Sequence, residues 1–329
     1  MKWHTELIPE KIKIPIRYED KIMAMGSCFT ENIGTKLSDS KYCIDINPFG
    51  IHYNPLSISN GIRAIIDFQN YQESDLIEYG GLWHSFDHHG DFSDVNIEIC
   101  LKNINLRLQK AKDNILRTNF LLITLGTASV YFRKDNGEVV NNCHKIPSAF
   151  FNYKRLNVEE IYSSLEKSLL QLFEHQPKIQ VILTVSPVRH LKDGFIENQL
   201  SKSALLLASY QLSKRFEKVF YFPAYEIMMD DLREYRFYKE DMVHPNEIAV
   251  DYINERFETS CLSDNETHLR KKIWNLVQAS KHKLINPNSE ASKQFIHNQI
   301  NSIKKICNEY PFLDFRQEME NYYLKLGQS

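Results

Sequence analysis

Nowhere does the chain carry an apolar run near the roughly 18 residues a membrane-spanning helix needs. Its first twenty residues, MKWHTELIPEKIKIPIRYED, break every apolar stretch with a charge or a proline, a pattern that fits neither a signal peptide nor a membrane anchor. An excess of one charge is lacking too: 40 basic against 42 acidic residues leave a formal charge of −2, which argues against a nucleic-acid surface or a strongly anionic partner. The six cysteines, Cys28, Cys43, Cys100, Cys143, Cys261 and Cys307, are scattered and form no CxxC pair. Reduced thiols are therefore expected rather than disulfides, and with them a cytoplasmic location. Neither a phosphate-binding GxxxxGK loop nor a GxGxxG fingerprint occurs, so nothing points to a nucleotide. Internal repeats and low-complexity tracts are absent as well.

What is present is a chain of 329 residues, 43% of them hydrophobic, enough to bury one substantial core. Five apolar runs read as strands: Ile22 to Met25, Cys43 to Ile46, Phe120 to Leu125, Ile179 to Val185 and Val219 to Phe222. Between them helical spacing predicts helices over Phe29–Leu37, Ile58–Phe68, Ile97–Ile115, Val158–Phe173, Leu200–Phe216, Tyr225–Leu232 and Ile248–Phe257. Alternation of this kind predicts an α/β fold with an open, mostly parallel five-stranded sheet covered on both faces, whose ligands sit at the strands' carboxyl ends. Val130 to Val140, with Asn136-Gly137 at its centre, predicts a hairpin beside the sheet. Tyr71 to Asp94 reads as a long excursion rich in Gly, His, Asp and aromatics. Residues 1–260 form the expected catalytic domain. Residues 261–329 form a C-terminal helical extension, with helices over Leu269–Leu284 and Phe295–Tyr310 parted at Asn286-Pro287-Asn288.

Ser27 follows the first strand at a turn into a helix, where its hydroxyl is exposed above the sheet and its N–H faces an incoming anion. A serine attacks only when a base removes its proton, and Asp241-Met242-Val243-His244 places an aspartate and a histidine on one tight loop. There the carboxylate receives Nδ1–H while Nε2 faces the serine. Taken singly, Ser27 also reads as a helix cap and His244 as an exposed loop histidine. His84, Asp87, His88, His89 and Asp91 form the densest polar cluster. They read as a substrate-binding loop, with His52 and Trp83 as pocket walls, rather than a metal site, because no HxxxH spacing supports one. Arg189 and His190 follow the fourth strand and are placed at the same functional edge, Arg189 as a substrate-binding guanidinium or as half of a structural ion pair. Cys28 is expected to turn into the helix–sheet interface.

Met25-Gly26-Ser27-Cys28-Phe29-Thr30-Glu31-Asn32-Ile33-Gly34 resembles the opening motif of the GSCFA-domain proteins, a branch similar to the SGNH (GDSL-like) hydrolases. Asn47 to Gly50, Trp83 to Phe86, Thr124 to Ala128, Ser186 to His190, Asn198 to Lys202 and Asp241 to Pro245 match the same pattern in order. The resemblance implies a three-layer flavodoxin-like fold, with Ser27, Asp241 and His244 as a catalytic triad and Gly50 as a backbone oxyanion donor. SGNH enzymes usually carry an asparagine two residues after the glycine that ends the central strand. Ala128 stands there instead, leaving Thr127 or the Ser27 and Gly50 N–H groups to bind the oxyanion. The reading is an ester hydrolase acting on a small polar or carbohydrate ester, with no cofactor and no metal. The alternatives are an acyltransferase, a carbohydrate- or small-anion-binding protein on the same fold and, more remotely, a metal-dependent hydrolase. Oligomeric state is left open.

Overall fold

In the computed structural model, which describes residues 4–67, 70–282 and 289–327, all five apolar runs become strands of one sheet. In chain order the strands are β1 (Lys21–Gly26), β2 (Cys43–Ile46), a hairpin of β3 (Leu76–Tyr79) and β4 (Leu82–Ser85), then β5 (Phe120–Leu125). An antiparallel trio follows, β6 (Ser129–Arg133), β7 (Val139–Val140) and β8 (Phe151–Arg155), and the chain returns to the sheet with β9 (Gln180–Val185) and β10 (Val219–Phe222). The sheet runs β10-β9-β5-β1-β2 and every pair in it is parallel. This is the flavodoxin-like order, in which the chain goes from β1 to one edge and then crosses back to β5 on the other side. The switch point thus falls between β1 and β5.

The helices are α1 (Cys28–Asp39), α2 (Pro55–Asp67), α3 (Ile97–Ile115), α4 (Val158–His175), α5 (Gly194–Arg215), α6 (Ala224–Glu226), α7 (Glu247–Cys261), α8 (Thr267–Lys281), α9 (Glu290–Glu309) and α10 (Arg316–Gly327). Side chains alternate between the faces of a strand, and the two cores follow that rule. Ile22, Ala24, Phe120, Leu122, Ile182 and Phe222 pack under α1 and α7 through Phe29, Ile33, Ile253 and Phe257. Met23, Met25, Leu121, Ile123, Val181 and Leu183 pack on the other face against α2, α4 and α5 through Ile58, Ile62, Leu165 and Leu205. Helices α8 to α10 bring Ile273, Val277, Ile296, Ile300 and Tyr322 into the core of the α1 face. No helix among the described residues is long and apolar enough to cross a membrane.

Several local expectations change. The excursion over residues 71–94 contains the β3–β4 hairpin, turned by Gly80 and Gly81, both at positive φ. A two-glycine loop suits such a turn because it needs left-handed backbone at both positions. The predicted 130–140 hairpin forms, and β8 pairs with β6 as a third strand. Helix α5 starts at Gly194, before the expected Leu200, and the segment after Pro223 is one helical turn followed by a π-turn, Ile227–Leu232. Phe68 and the Asn286-Pro287-Asn288 break lie outside the described residues.

The C-terminal helices are tied to α1 by one nearly buried ion pair. Just past α1, Lys41 Nζ reaches both oxygens of Glu318 in α10 at 2.7 Å and lies 5.0 Å over the Phe315 ring. Removing one partner of such a pair strands the other charge, so Glu318→Ala is expected to destabilise the protein by about 3–5 kcal/mol in urea unfolding, whereas a Lys41→Met/Glu318→Leu double variant should stay far closer to wild type. Equal losses in the single and double variants would mean that the pair is solvated.

Candidate active site

The site begins with a steric demand at the end of β1. Gly26 has φ +147°, and a Cβ on it would stand 2.3 Å from Thr124 O on β5. Its N–H donates to Asn47 Oδ1 at 3.0 Å, so the residue is held from both neighbouring strands. Ser27 follows as the N-cap of α1. It is fully buried, its Oγ accepts from Phe29 N–H at 3.3 Å, and its own N–H donates to Thr124 O at 3.2 Å.

The end of β5 meets it. Gly126 and Thr127 both donate their N–H groups to Tyr53 O, at 2.8 and 2.9 Å. The point where a Cβ would stand on Gly126 is 3.3 Å from Ser27 Cβ and 3.3 Å from His190 Nε2. Ser27 and the His190 imidazole therefore face one another across Gly126, no farther apart than twice that distance. His190 Nε2 is buried and has no hydrogen-bond partner.

Beneath them runs the side chain of Lys202, a fully buried residue of α5. Its Nζ donates to Gly126 O at 2.6 Å and to Ser186 O at 2.7 Å, clamping the ends of β5 and β9 together. One turn earlier Asn198 Oδ1 accepts from His190 N–H at 2.9 Å, and Ser201 Oγ accepts from Ala128 N–H at 2.7 Å. Burial lowers the Lys202 ammonium to about 7. Burial, with the Lys202 and His244 charges nearby, lowers the His190 imidazole to about 3, so the ring is neutral at any working pH.

The second half of the site is the loop over residues 241–244, where Met242 adopts a left-handed conformation at φ +57°. Asp241 Oδ1 accepts from the N–H groups of His244 and Val243 at 2.9 and 2.8 Å, and Oδ2 lies 2.7 Å from His244 Nδ1. Those hydrogen bonds, the His244 N–H first, hold the Asp241 carboxyl far below the usual carboxylate range. An ionised carboxylate at that distance fixes Nδ1 as the protonated nitrogen and leaves Nε2 as an acceptor. The loop hangs on the segment after β9: Arg189 N–H donates to Val243 O at 3.2 Å, and the guanidinium lies 4.2 Å over the Tyr238 ring. Arg189 is thus engaged with tyrosine faces and the Met242 carbonyl rather than in an ion pair.

Asp241 and His244 are therefore paired, and Ser27 is paired with neither. Among the described residues no hydrogen bond joins Ser27 Oγ to His244, whose side chain is half-exposed. The oxyanion donors expected from the sequence are occupied. Gly50 N–H closes a turn onto Asn47 O at 2.8 Å, and the Thr127 hydroxyl pairs with Ser201 Oγ at 3.2 Å and accepts from Ser129 N–H. Cys28 is half-buried and belongs to neither the packed face of α1 nor the core. Burial, then Glu31, pushes its thiol up.

Most of the histidine-rich loop turns inward. His52 Nε2 bonds Asp87 O at 3.0 Å, His84 bridges Ser93 Oγ and Tyr79 O at 2.6 and 3.0 Å, and His88 Nδ1 bonds Ser85 Oγ at 2.9 Å. Burial takes His52 down to about 4 and His88 well below its ordinary value. Trp83 packs on Leu76, Cys100 and Ile104. These residues fasten the excursion to itself. His89, half-buried, pairs with Asp91 at 3.0 Å and abuts Gly50. Of the residues expected to bind substrate, Arg189 and His190 stand at the edge shared by Ser27 and His244. Tyr53 was not singled out from the sequence, and Lys202, Asn198 and Ser201 stand there only within a segment matching the family pattern, with no role assigned. The signal for three of them is the 198, 201, 202 spacing, which puts polar groups on the face that Leu205, Ala208 and Leu212 continue as apolar.

A model of the GSCFA family matches residues 21–257, and a model of the GSCFA domain protein C-terminal domain matches 273–326. No curated protein matches the chain. Among solved structures, a Bacteroides fragilis protein described as an acylhydrolase aligns at TM-score 0.39 and 12% identity over 77% of this chain and 90% of its own. A carbohydrate esterase family 3 member from Talaromyces cellulolyticus aligns at 0.36 and 11% over 77% and 98%. An acetyl xylan esterase from the rumen bacterium Butyrivibrio proteoclasticus aligns at 0.35 and 11% over 75% and 65%.

The buried ammonium carries a pH signature. With a folded value of about 7 against about 10.4 in the unfolded chain, the penalty for burying the charge is complete below pH 7 and is relieved as pH rises toward 10.4. Wild type should therefore gain on Lys202→Met by up to about 1.4 kcal/mol per pH unit between pH 7 and 9, read from urea unfolding of both proteins. A gap that stays constant over that range would show an ammonium that keeps its solvation.

Proposed function

The chain belongs to the GSCFA family, and from that premise we propose that it is a serine hydrolase of ester bonds, similar to the SGNH hydrolases. In this reading Ser27 is the nucleophile, His244 the general base and Asp241 the group that orients it. What supports it is a strand-end serine at the switch point and an aspartate–histidine pair, 2.7 Å apart, on a loop braced by the segment after β9 at the same edge of the sheet.

Ser27 Oγ attacks the ester carbonyl while His244 Nε2 takes its proton, and Asp241 stabilises the resulting imidazolium. The tetrahedral intermediate then collapses, and His244 returns the proton to the leaving alcohol. Water, or an acceptor alcohol, enters by the same route to release the acyl group from Ser27. Catalytic hydrogen bonds commonly tighten only once substrate is bound. Here the half-exposed His244 loop has to close on a serine that rests against Phe29 N–H. Ser27 lies fully buried beside His190, whose ring meets the edge of Tyr53 at 5.6 Å, which favours a short acyl group such as acetyl on a polar alcohol.

Hydrolysis of p-nitrophenyl acetate by wild type, Ser27→Ala and His244→Ala checks the reading, together with labelling by a fluorophosphonate. Each substitution should lower kcat by about 10³-fold or more and abolish labelling. Equal rates in wild type and Ser27→Ala would remove the mechanism. Ligand uptake without labelling would favour a binding protein on the same fold.

A further inference from the structure

The proposed chemistry leaves the oxyanion short of donors. A tetrahedral intermediate on Ser27 places a negative oxygen beside the strand ends, where preorganised donors are worth most. Gly50 N–H and the Thr127 hydroxyl are committed to bonds of their own, and Ala128 offers only a methyl group and an N–H already given to Ser201. Two polar atoms near Ser27 are buried and without a partner: Thr30 Oγ1, which lies among Phe29, Ile33 and Leu122 on the packed α1 face, and His190 Nε2, which stands across Gly126 from the serine at the strand ends.

We propose that His190, with its proton on Nε2, donates a hydrogen bond to the oxyanion formed on Ser27 and so takes the role that a side-chain amide after the central strand would otherwise fill. The inference rests on Ser27 being the nucleophile. It assigns His190 a hydrogen bond and no proton transfer: the imidazole is neutral before and after, and the charge passes between His244 and the reacting atoms.

Three features support a donor over a second base. Among the described residues no carboxylate is hydrogen-bonded to the His190 ring, whereas Asp241 backs His244. Burial first, then the Lys202 ammonium, disfavours imidazolium at His190 and keeps the ring neutral. A neutral imidazole with so little basicity is a poor proton acceptor and a competent electrophile toward a developing oxyanion. The ring is also held still. Asn198 fixes its backbone, the Tyr53 ring meets its edge at 5.6 Å, and the Lys202 clamp sets the spacing between Gly126 and the segment that carries it. A buried polar atom with no partner carries an unrelieved desolvation penalty. An oxyanion at Ser27 relieves that penalty only in the intermediate and its flanking transition states, which is the differential binding that lowers a barrier.

The test uses the geometry of amides. The side-chain nitrogen of glutamine overlays Nε2 of histidine, and that of asparagine overlays Nδ1 and stops short. Steady-state hydrolysis of p-nitrophenyl acetate should therefore fall about 10²–10³-fold in kcat for His190→Phe and His190→Asn with KM nearly unchanged, while His190→Gln stays within about tenfold of wild type. Thermal unfolding identifies any variant that fails to fold, and the Gln–Asn pair decides the matter if His190→Phe does. Phe and Asn variants within threefold of wild type overturn the donor role. A Gln variant as slow as the Phe variant also overturns it, since that pattern belongs to a base or to packing. Ser27→Ala in the same series separates the two readings: full activity there removes the serine mechanism and this inference with it, whereas loss there alone removes only the role of His190.

Discussion

At the carboxyl ends of β1 and β5 the two backbones run so close that Thr124 O occupies the space a Cβ on Gly26 would need, and Tyr53 O stands 2.9 Å from the corresponding point on Gly126. Everything at the site is placed by that approach. It puts Ser27 over the switch point and turns its N–H toward Thr124 O. It also leaves a gap above Gly126 narrow enough for one imidazole to span. A side chain at Gly26 would push β1 from β5, and one at Gly126 would push the Tyr53 backbone away, both at the edge where ligands of such sheets bind. The Lys202 clamp ties the next pair of strand ends, those of β5 and β9. Its two carbonyl bonds offset the desolvation of an ammonium that would otherwise have no place in the core.

Two histidines reach this edge and their surroundings differ in sign. His244 sits half in solvent with an ionised carboxylate 2.7 Å from Nδ1, which leaves Nε2 as the acceptor nitrogen. His190 has its Nε2 buried, and an ammonium rather than a carboxylate lies behind it. The same side chain is thereby suited to accept a proton in one place and to remain neutral in the other. Arg189 joins the two halves, since its backbone holds Val243 and its guanidinium lies on Tyr238.

The sheet was legible because each of its strands is a short apolar run bounded by a break, and Gly26-Ser27 and Asp241 to His244 stood out because spacing alone puts their groups at strand ends or on one loop. Burial direction was not legible. A loop with His84, His88 and His89 reads as a polar pocket, yet Ser85, Ser93 and the Asp87 and Tyr79 carbonyls supply partners from within the excursion and from His52, and turn His52, His84 and His88 inward. Those partners are backbone atoms and small hydroxyls that composition does not reveal. Lys202 stands in the sequence only within a family-pattern segment and without a role, because a lysine on an amphipathic helix suggests a solvated face, although its spacing to Leu205 and Ala208 puts it on the buried one. The committed state of Gly50 and Thr127 depends on turn hydrogen bonds that are equally invisible in spacing.

The C-terminal helices bear on the site through α1. Ser27 caps one end of that helix, and the chain just past its other end carries Lys41, gripped by Glu318 of α10, and Tyr42, stacked on Tyr18 at 4.2 Å. Between those ends Phe29, Ile33 and Leu37 share a continuous core with Ile273, Ile296 and Tyr322. A nucleophile on a rigid element keeps its geometry better than one on a loop. Here the rigidity is lent by residues far along the chain. The opposite partner in the proposed reading, the His244 loop, is half-exposed with Met242 left-handed, and it is held by Asp241 and by the Arg189 and Lys239 backbones rather than by a helix.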